Sequence, residues 1–127
     1  MRHSLLMLIL IADDNRELRA ALRLLLREVG THVIREAADM EAALAVLRRP
    51  SAGDRGVDLV LLDWELPGAG FAGGRAAFVA EMRRAEPHCR VVAMSSRPEA
   101  QEESLAAGCD LFVSENEPPD ALLELLG

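Results

Sequence analysis

Apolar positions along the chain fall into two alternating textures. The runs Leu8–Ala12, Val57–Leu62, Val91–Met94 and Leu111–Val113 are apolar at nearly every position, and each gives way to a segment where apolar residues recur every three or four positions. A run apolar on both faces suits a strand inside a parallel sheet, while the longer spacing marks one face of a helix. The first helix reads from Leu18, Ala21, Leu22, Leu25, Leu26 and Val29, with Asn15 as its cap and Gly30 as its stop. His32–Glu36 is a shorter strand candidate, and Asp39 stands where it would cap a helix over Met40–Arg48 whose Ala43, Leu44 and Leu47 share a face. Residues 50–56 read as a surface loop, and Leu66-Pro67-Gly68 as a turn leading through a Gly-rich stretch into a helix carrying Phe78, Val79 and Met82. Pro98 suits the first position of a fourth helix, whose start Glu99, Glu102 and Glu103 complement and whose end Gly108 marks. Pro118-Pro119 opens a short last helix with Leu122, Leu125 and Leu126.

Five strands alternating with five helices predict a doubly wound, mostly parallel α/β sheet with right-handed crossovers. The expectation is one domain over residues 1–127, either stand-alone or excised from a longer protein, since the last helix is short. Half of the residues are apolar and 28% are charged, a globular balance. All 14 basic residues are Arg. The absence of Lys excludes a phosphate loop built on Lys, a Schiff-base enzyme and a Lys general base. A net charge of −7 argues against direct nucleic-acid binding and against adhesion to anionic membranes. The apolar start is too short to span a bilayer and runs into Asp13-Asp14 rather than a cleavage site, so a cytoplasmic location is expected. Cys89 and Cys109 lack metal-ligand spacing and read as buried reduced thiols. His3, His32 and His88 read as surface or strand-edge residues.

Sites in open parallel sheets form beyond the carboxyl ends of the strands. Those ends here carry Asp13 and Asp14, then Asp63, then Ser95, then Ser114 and Glu115. Carboxylates brought together raise one another's proton affinity unless a cation intervenes. An all-oxygen, carboxylate-rich pocket suits Mg²⁺ or Mn²⁺ better than Zn²⁺. Taken singly, each acid is an ordinary loop residue; convergence of all three beside a hydroxyl is what would make a site.

In this order the strand ends resemble the receiver domain of two-component response regulators over essentially the whole chain. The carrying motifs are Ile9-Leu10-Ile11-Ala12-Asp13-Asp14, Leu61-Leu62-Asp63-Trp64-Glu65-Leu66-Pro67-Gly68, Val91-Val92-Ala93-Met94-Ser95-Ser96 and Ala107-Gly108-Cys109-Asp110-Leu111-Phe112-Val113. The resemblance implies a flavodoxin-like sheet of order 2-1-3-4-5 and a phosphoacceptor at Asp63, supplied by a sensor histidine kinase or a histidine phosphotransfer protein. It also implies a Mg²⁺ site of Asp13, Asp14, Asp63 and the Glu65 backbone carbonyl. Ser95 would hydrogen-bond the phosphoryl group. Phe112 would pack inward as Ser95 moves, although an ordinary core aromatic reads equally well there. Such a domain is an acceptor that phosphorylates and dephosphorylates itself rather than a turnover enzyme. It signals through the face of the fourth helix, fifth strand and fifth helix to an output domain or effector.

One departure stands out. Glu115 falls where the resembled family carries Lys, and Asn116 where Pro usually follows. Glu115 could turn outward, leaving phosphorylation intact with weaker switching, join the metal pocket, or disable acceptance. Arg97 reads as a solvated surface arginine; the competing reading makes it a substitute cation partnered by Glu65 across the mouth. The alternative function is a pseudo-receiver, a binding module that works without phosphorylation. A small aspartyl phosphatase is disfavoured, because Glu65 stands where such enzymes carry a second Asp. Trp64 reads as a partly covered loop aromatic and an optical reporter beside the acceptor.

Overall fold

The computed structural model describes residues 6–49, 56–68 and 71–126. The expectations for His3, for the loop at 50–55 and for the side chains of Leu125 and Leu126 fall outside them. In chain order the elements are β1 (Leu8–Ala12), α1 (Arg16–Val29), β2 (Val33–Ala37), α2 (Met40–Arg48) and β3 (Leu59–Asp63). They continue as α3 (Gly74–Ala85), β4 (Arg90–Ser95), α4 (Glu99–Ala106), β5 (Leu111–Ser114) and α5 (Asp120–Leu126). The strands form one parallel sheet of order β2-β1-β3-β4-β5. All carboxyl ends therefore share one edge.

The period-2 alternation of β1, β3 and β4 divides the core into two layers. Leu10, Ala12, Val60, Leu62, Val91 and Ala93 point to one face, where Met40, Leu44 and Leu47 of α2, Phe78, Val79 and Met82 of α3 and Ala100 of α4 cover them. Ile9, Ile11, Leu59, Leu61, Val92 and Met94 point to the other, beneath Leu22 and Leu26 of α1 and Leu122 of α5. Burial on both faces is why these strands read as uninterrupted apolar runs.

Local chemistry sets the helix ends. The Asn15 carboxamide accepts from the Leu18 N–H at 3.1 Å and the Asp39 carboxylate from the Ala42 N–H at 2.7 Å, each satisfying a donor that the first helical turn leaves orphaned. Gly108 follows α4 with φ +109°, a left-handed conformation that side chains resist.

Several boundaries differ from the sequence reading. β3 starts at Leu59 because Asp58 works as a clasp: its carboxylate and N–H both bond the Leu8 backbone at 2.8 Å, and its carbonyl accepts from Arg90 at 3.0 Å. β4 includes exposed Arg90, which pairs in register with Leu59. Pro98 is the residue before α4 rather than its first. His32 is half-buried just before the edge strand β2; its Nδ1 accepts from the Met7 N–H at 3.2 Å and its Nε2 lies buried, so of the two readings it is the strand-edge one that holds. Cys89 and Cys109 are free and buried, and desolvation raises both thiols, Cys109 to about 11. Neither is a thiolate nucleophile near neutral pH.

Candidate functional site

The sheet order places the ends of β1 and β3 side by side, with Ala12 opposite Leu62. The next residues are Asp13 and Asp63, and both are buried, at 1% and 8% exposure. Asp14 follows as an exposed acid. One carboxylate oxygen from each of Asp13, Asp14 and Asp63 lies within 4.8 Å of the other two. Opposite ligands of an octahedral Mg²⁺ sit about 4 Å apart, so the set fits that ion after small side-chain adjustments.

Two backbone amides hold the cluster in place. Asp13 Oδ1 accepts from the Asn15 N–H at 2.8 Å, and Asp63 Oδ1 from the Glu65 N–H at 3.0 Å. Asp13 Oδ2 is buried with no hydrogen-bond partner. A buried anionic oxygen without a donor is costly, and a cation among the three acids would satisfy it. Electrostatics agree with the geometry. Desolvation first, then the charges of Asp13, Glu115 and Asp14, push the Asp63 carboxyl up to about 7 against the opposing Glu65 N–H. Asp13 is raised as well, chiefly by desolvation.

The neighbouring strand ends complete the mouth. Ser95, buried at the end of β4, pairs in register with Ser114, and its carbonyl accepts from the Glu115 N–H at 2.9 Å. Glu115 is exposed and stands outside the three-acid cluster, yet its carboxyl pKa is raised by desolvation and by the charges of Asp13 and Glu65. Its charge thus reaches the acceptor without the carboxylate joining the pocket. Asn116 ties this loop to the previous one through the Ser96 carbonyl at 3.0 Å. Phe112 is half-buried and packs against the core layer that holds α4.

Glu65 faces sideways rather than into the acid cluster. Its Oε2 accepts from the Ser95 hydroxyl at 2.8 Å and from Arg97 Nε at 3.1 Å, while Oε1 accepts from an Arg97 terminal nitrogen at 3.1 Å. Arg75 stands 3.8 Å from Oε1. Partial desolvation raises Glu65, but the Arg97 and Ser95 hydrogen bonds and the two guanidinium charges outweigh it and hold the carboxyl below its ordinary value. Arg97 is therefore no solvated bystander. It also bonds Glu99 at 3.1 Å and Glu103 at 3.2 Å, both on α4. The same Glu103 oxygen accepts from the Trp64 indole N–H at 3.1 Å. Trp64 is only 4% exposed, a fully covered aromatic and not the partly covered one expected. Glu103 was the residue least visible in sequence; the spacing of Glu99 and Glu103, one turn apart just after Arg97, is the signal that could have found it.

The family profile described as the response regulator receiver domain matches residues 9–127. The chain belongs to this family. Among solved structures, this receiver domain is similar to a CheY-like receiver protein of Methanospirillum hungatei, at 23% identity over 96% of this chain and 91% of that one, TM-score 0.75. It is also similar to TrrA of Thermotoga maritima, described in complex with Mg²⁺ and BeF, at 25% identity over 95% and 96% of the two chains, TM-score 0.73. NtrX of Brucella abortus matches at 28% identity and TM-score 0.76 over 95% of this chain, which spans 26% of that longer protein. No curated protein matches the sequence. No helix among the described residues is long and apolar enough to cross a membrane.

Proposed function

We propose that this receiver domain accepts a phosphoryl group on Asp63 from a phosphohistidine of a sensor kinase or phosphotransfer protein. The convergence of Asp13, Asp14 and Asp63 around an unpartnered buried carboxylate oxygen carries this reading. An ionised Asp63 oxygen attacks phosphorus, the phosphorus–nitrogen bond of the donor breaks, and the departing imidazole keeps the electron pair. The product is an acyl phosphate, and water attack on its phosphorus breaks the bond to the Asp63 oxygen, releasing inorganic phosphate and returning the Asp63 carboxylate. The domain is thus an acceptor with a built-in reset rather than a turnover enzyme.

Asp13, Asp14, Asp63 and the Glu65 backbone carbonyl are the ligand set for Mg²⁺, or Mn²⁺. When bound, the ion supplies positive charge that ionises Asp63 and neutralises the phosphoryl oxygens. TrrA, with its Mg²⁺–BeF complex, supports the assignment by similarity. Ser95 donates its hydroxyl to the phosphoryl group, Phe112 repacks as Ser95 moves, and the α4-β5-α5 face passes the change to an output domain or effector.

Intact mass after incubation with Mg²⁺ and acetyl phosphate tests this. One added phosphoryl group is expected, absent in Asp63→Asn. No mass gain, or a gain that survives the substitution, contradicts it. A binding module that works without phosphorylation is the second reading, and the charge of Glu115 on Asp63 favours it. Its signature is partner binding unaltered in Asp63→Asn.

A further inference from the structure

The chain contains no Lys, and the residue just past β5 is an acid, so no cation from β5 greets a phosphoryl group on Asp63. The guanidinium groups that meet acidic side chains at the mouth are accounted for among the described residues. Arg19 is held by Glu36 and the Asp13 carbonyl, whereas Arg97 and Arg75 converge on Glu65. The manner of that convergence matters. Arg97 presents two nitrogens in a fork to the two oxygens of Glu65, and the Ser95 hydroxyl binds one of those same oxygens. A guanidinium fork plus a hydroxyl is a donor set that suits phosphoryl oxygens as well as a carboxylate. The Glu65 N–H meanwhile bonds Asp63 Oδ1, so the backbone of this residue is tied to the acceptor while its carboxylate turns to Ser95 and Arg97.

We propose that the Glu65 carboxylate is a built-in stand-in for the phosphoryl group, and that Arg97 and Ser95 exchange it for phosphoryl oxygens when Asp63 is modified. The inference rests on the phosphoacceptor reading above and names the cation that reading leaves unassigned. The exchange is energetically open. Ion pairs at this exposure, 38% for Arg97 and 41% for Glu65, are screened by water and weakly held. The incoming group carries roughly −1.5 to −2 charges against the single charge of Glu65. Arg97 is also the link between the site and α4. As it turns to the phosphoryl group it leaves Glu99 and Glu103, and the Glu103 oxygen loses one of its two donors, keeping the Trp64 indole N–H. Phosphorylation therefore loosens the grip of β4's exit loop on α4, and the Trp64 indole senses it.

Acetyl phosphate titrations at saturating Mg²⁺ and fixed ionic strength test the exchange, with progress followed by intact mass. Glu65→Gln, which removes the carboxylate charge that competes for Arg97, lowers the half-saturating donor concentration severalfold; a rise contradicts the stand-in role. The decisive comparison is Arg97→Met made in the Glu65→Gln background, where Arg97 has no Glu65 charge to neutralise. A loss of fivefold or more in half-saturation, largely recovered by Arg97→Lys in the same background, is expected. No loss there means Arg97 serves only to neutralise Glu65, and overturns the proposal while leaving Asp63 as acceptor. Failure of the unsubstituted protein to gain mass is a different result, which removes the phosphoacceptor reading and this inference with it.

Discussion

At Asp63 the fold holds a carboxyl group that resists ionisation. Its ordinary value is 3.8 and its value here about 7, with desolvation the largest cause. Between those values the unfolded chain has lost a proton that the folded chain keeps, so folded-state stability falls as pH rises through this window and stays lower above it. A shift of that size corresponds to a few kcal/mol at about 1.4 kcal/mol per unit. Asp63→Asn removes the penalty. In metal-free urea denaturation the variant should be more stable than the parent by roughly 1–3 kcal/mol at pH 8, with the gap shrinking toward pH 4. Equal stability at pH 8 would mean that Asp63 ionises freely and that the three acids are not crowded in solution. That Asp63 would be crowded by Asp13 and Asp14 was legible from the strand-end rule. That its pKa would owe more to desolvation than to its neighbours was not, because desolvation is set by how the folded strand ends pack around the carboxyl.

Among the elements, α1 shows how helix starts build the site. The side chain of Asn15 caps the helix while its backbone N–H holds Asp13 Oδ1. Substituting Asn15 with Ala deletes the cap but keeps the amide. Stability in denaturant should fall by about 1 kcal/mol, while Mg²⁺ affinity should change less than twofold; a large loss of affinity would show that the side chain positions Asp13. Both caps, Asn15 and Asp39, were readable from sequence because side-chain capping is local chemistry. The strand ends were less so. Arg90 reads as polar and lies in β4 because Leu59 pairs with it, and Asp58 reads as an interruption yet clasps three strand starts. Sheet hydrogen bonding, not the apolar pattern, decides those limits.

For the molecule as a whole, the order β2-β1-β3-β4-β5 is what turns separate acids into a site. The strand-end rule pointed to that edge, and the order itself was implied by the resemblance to receiver domains. Of the lateral network, the Arg97–Glu65 pair was readable from sequence, whereas the links through Ser95, Glu103 and Trp64 were not, since they depend on side-chain directions that no periodicity encodes. Divalent binding at the three acids would couple the site back to the whole fold, because a ligand held only by the native state stabilises it by mass action. Calorimetric titration of the metal-free protein with Mg²⁺ near pH 7.5 tests the central claim most directly. The account predicts one saturable site per chain, with the heat abolished in Asp13→Ala and severely weakened in Asp14→Ala. A titration without saturation, or one that Asp13→Ala leaves unchanged, would contradict it.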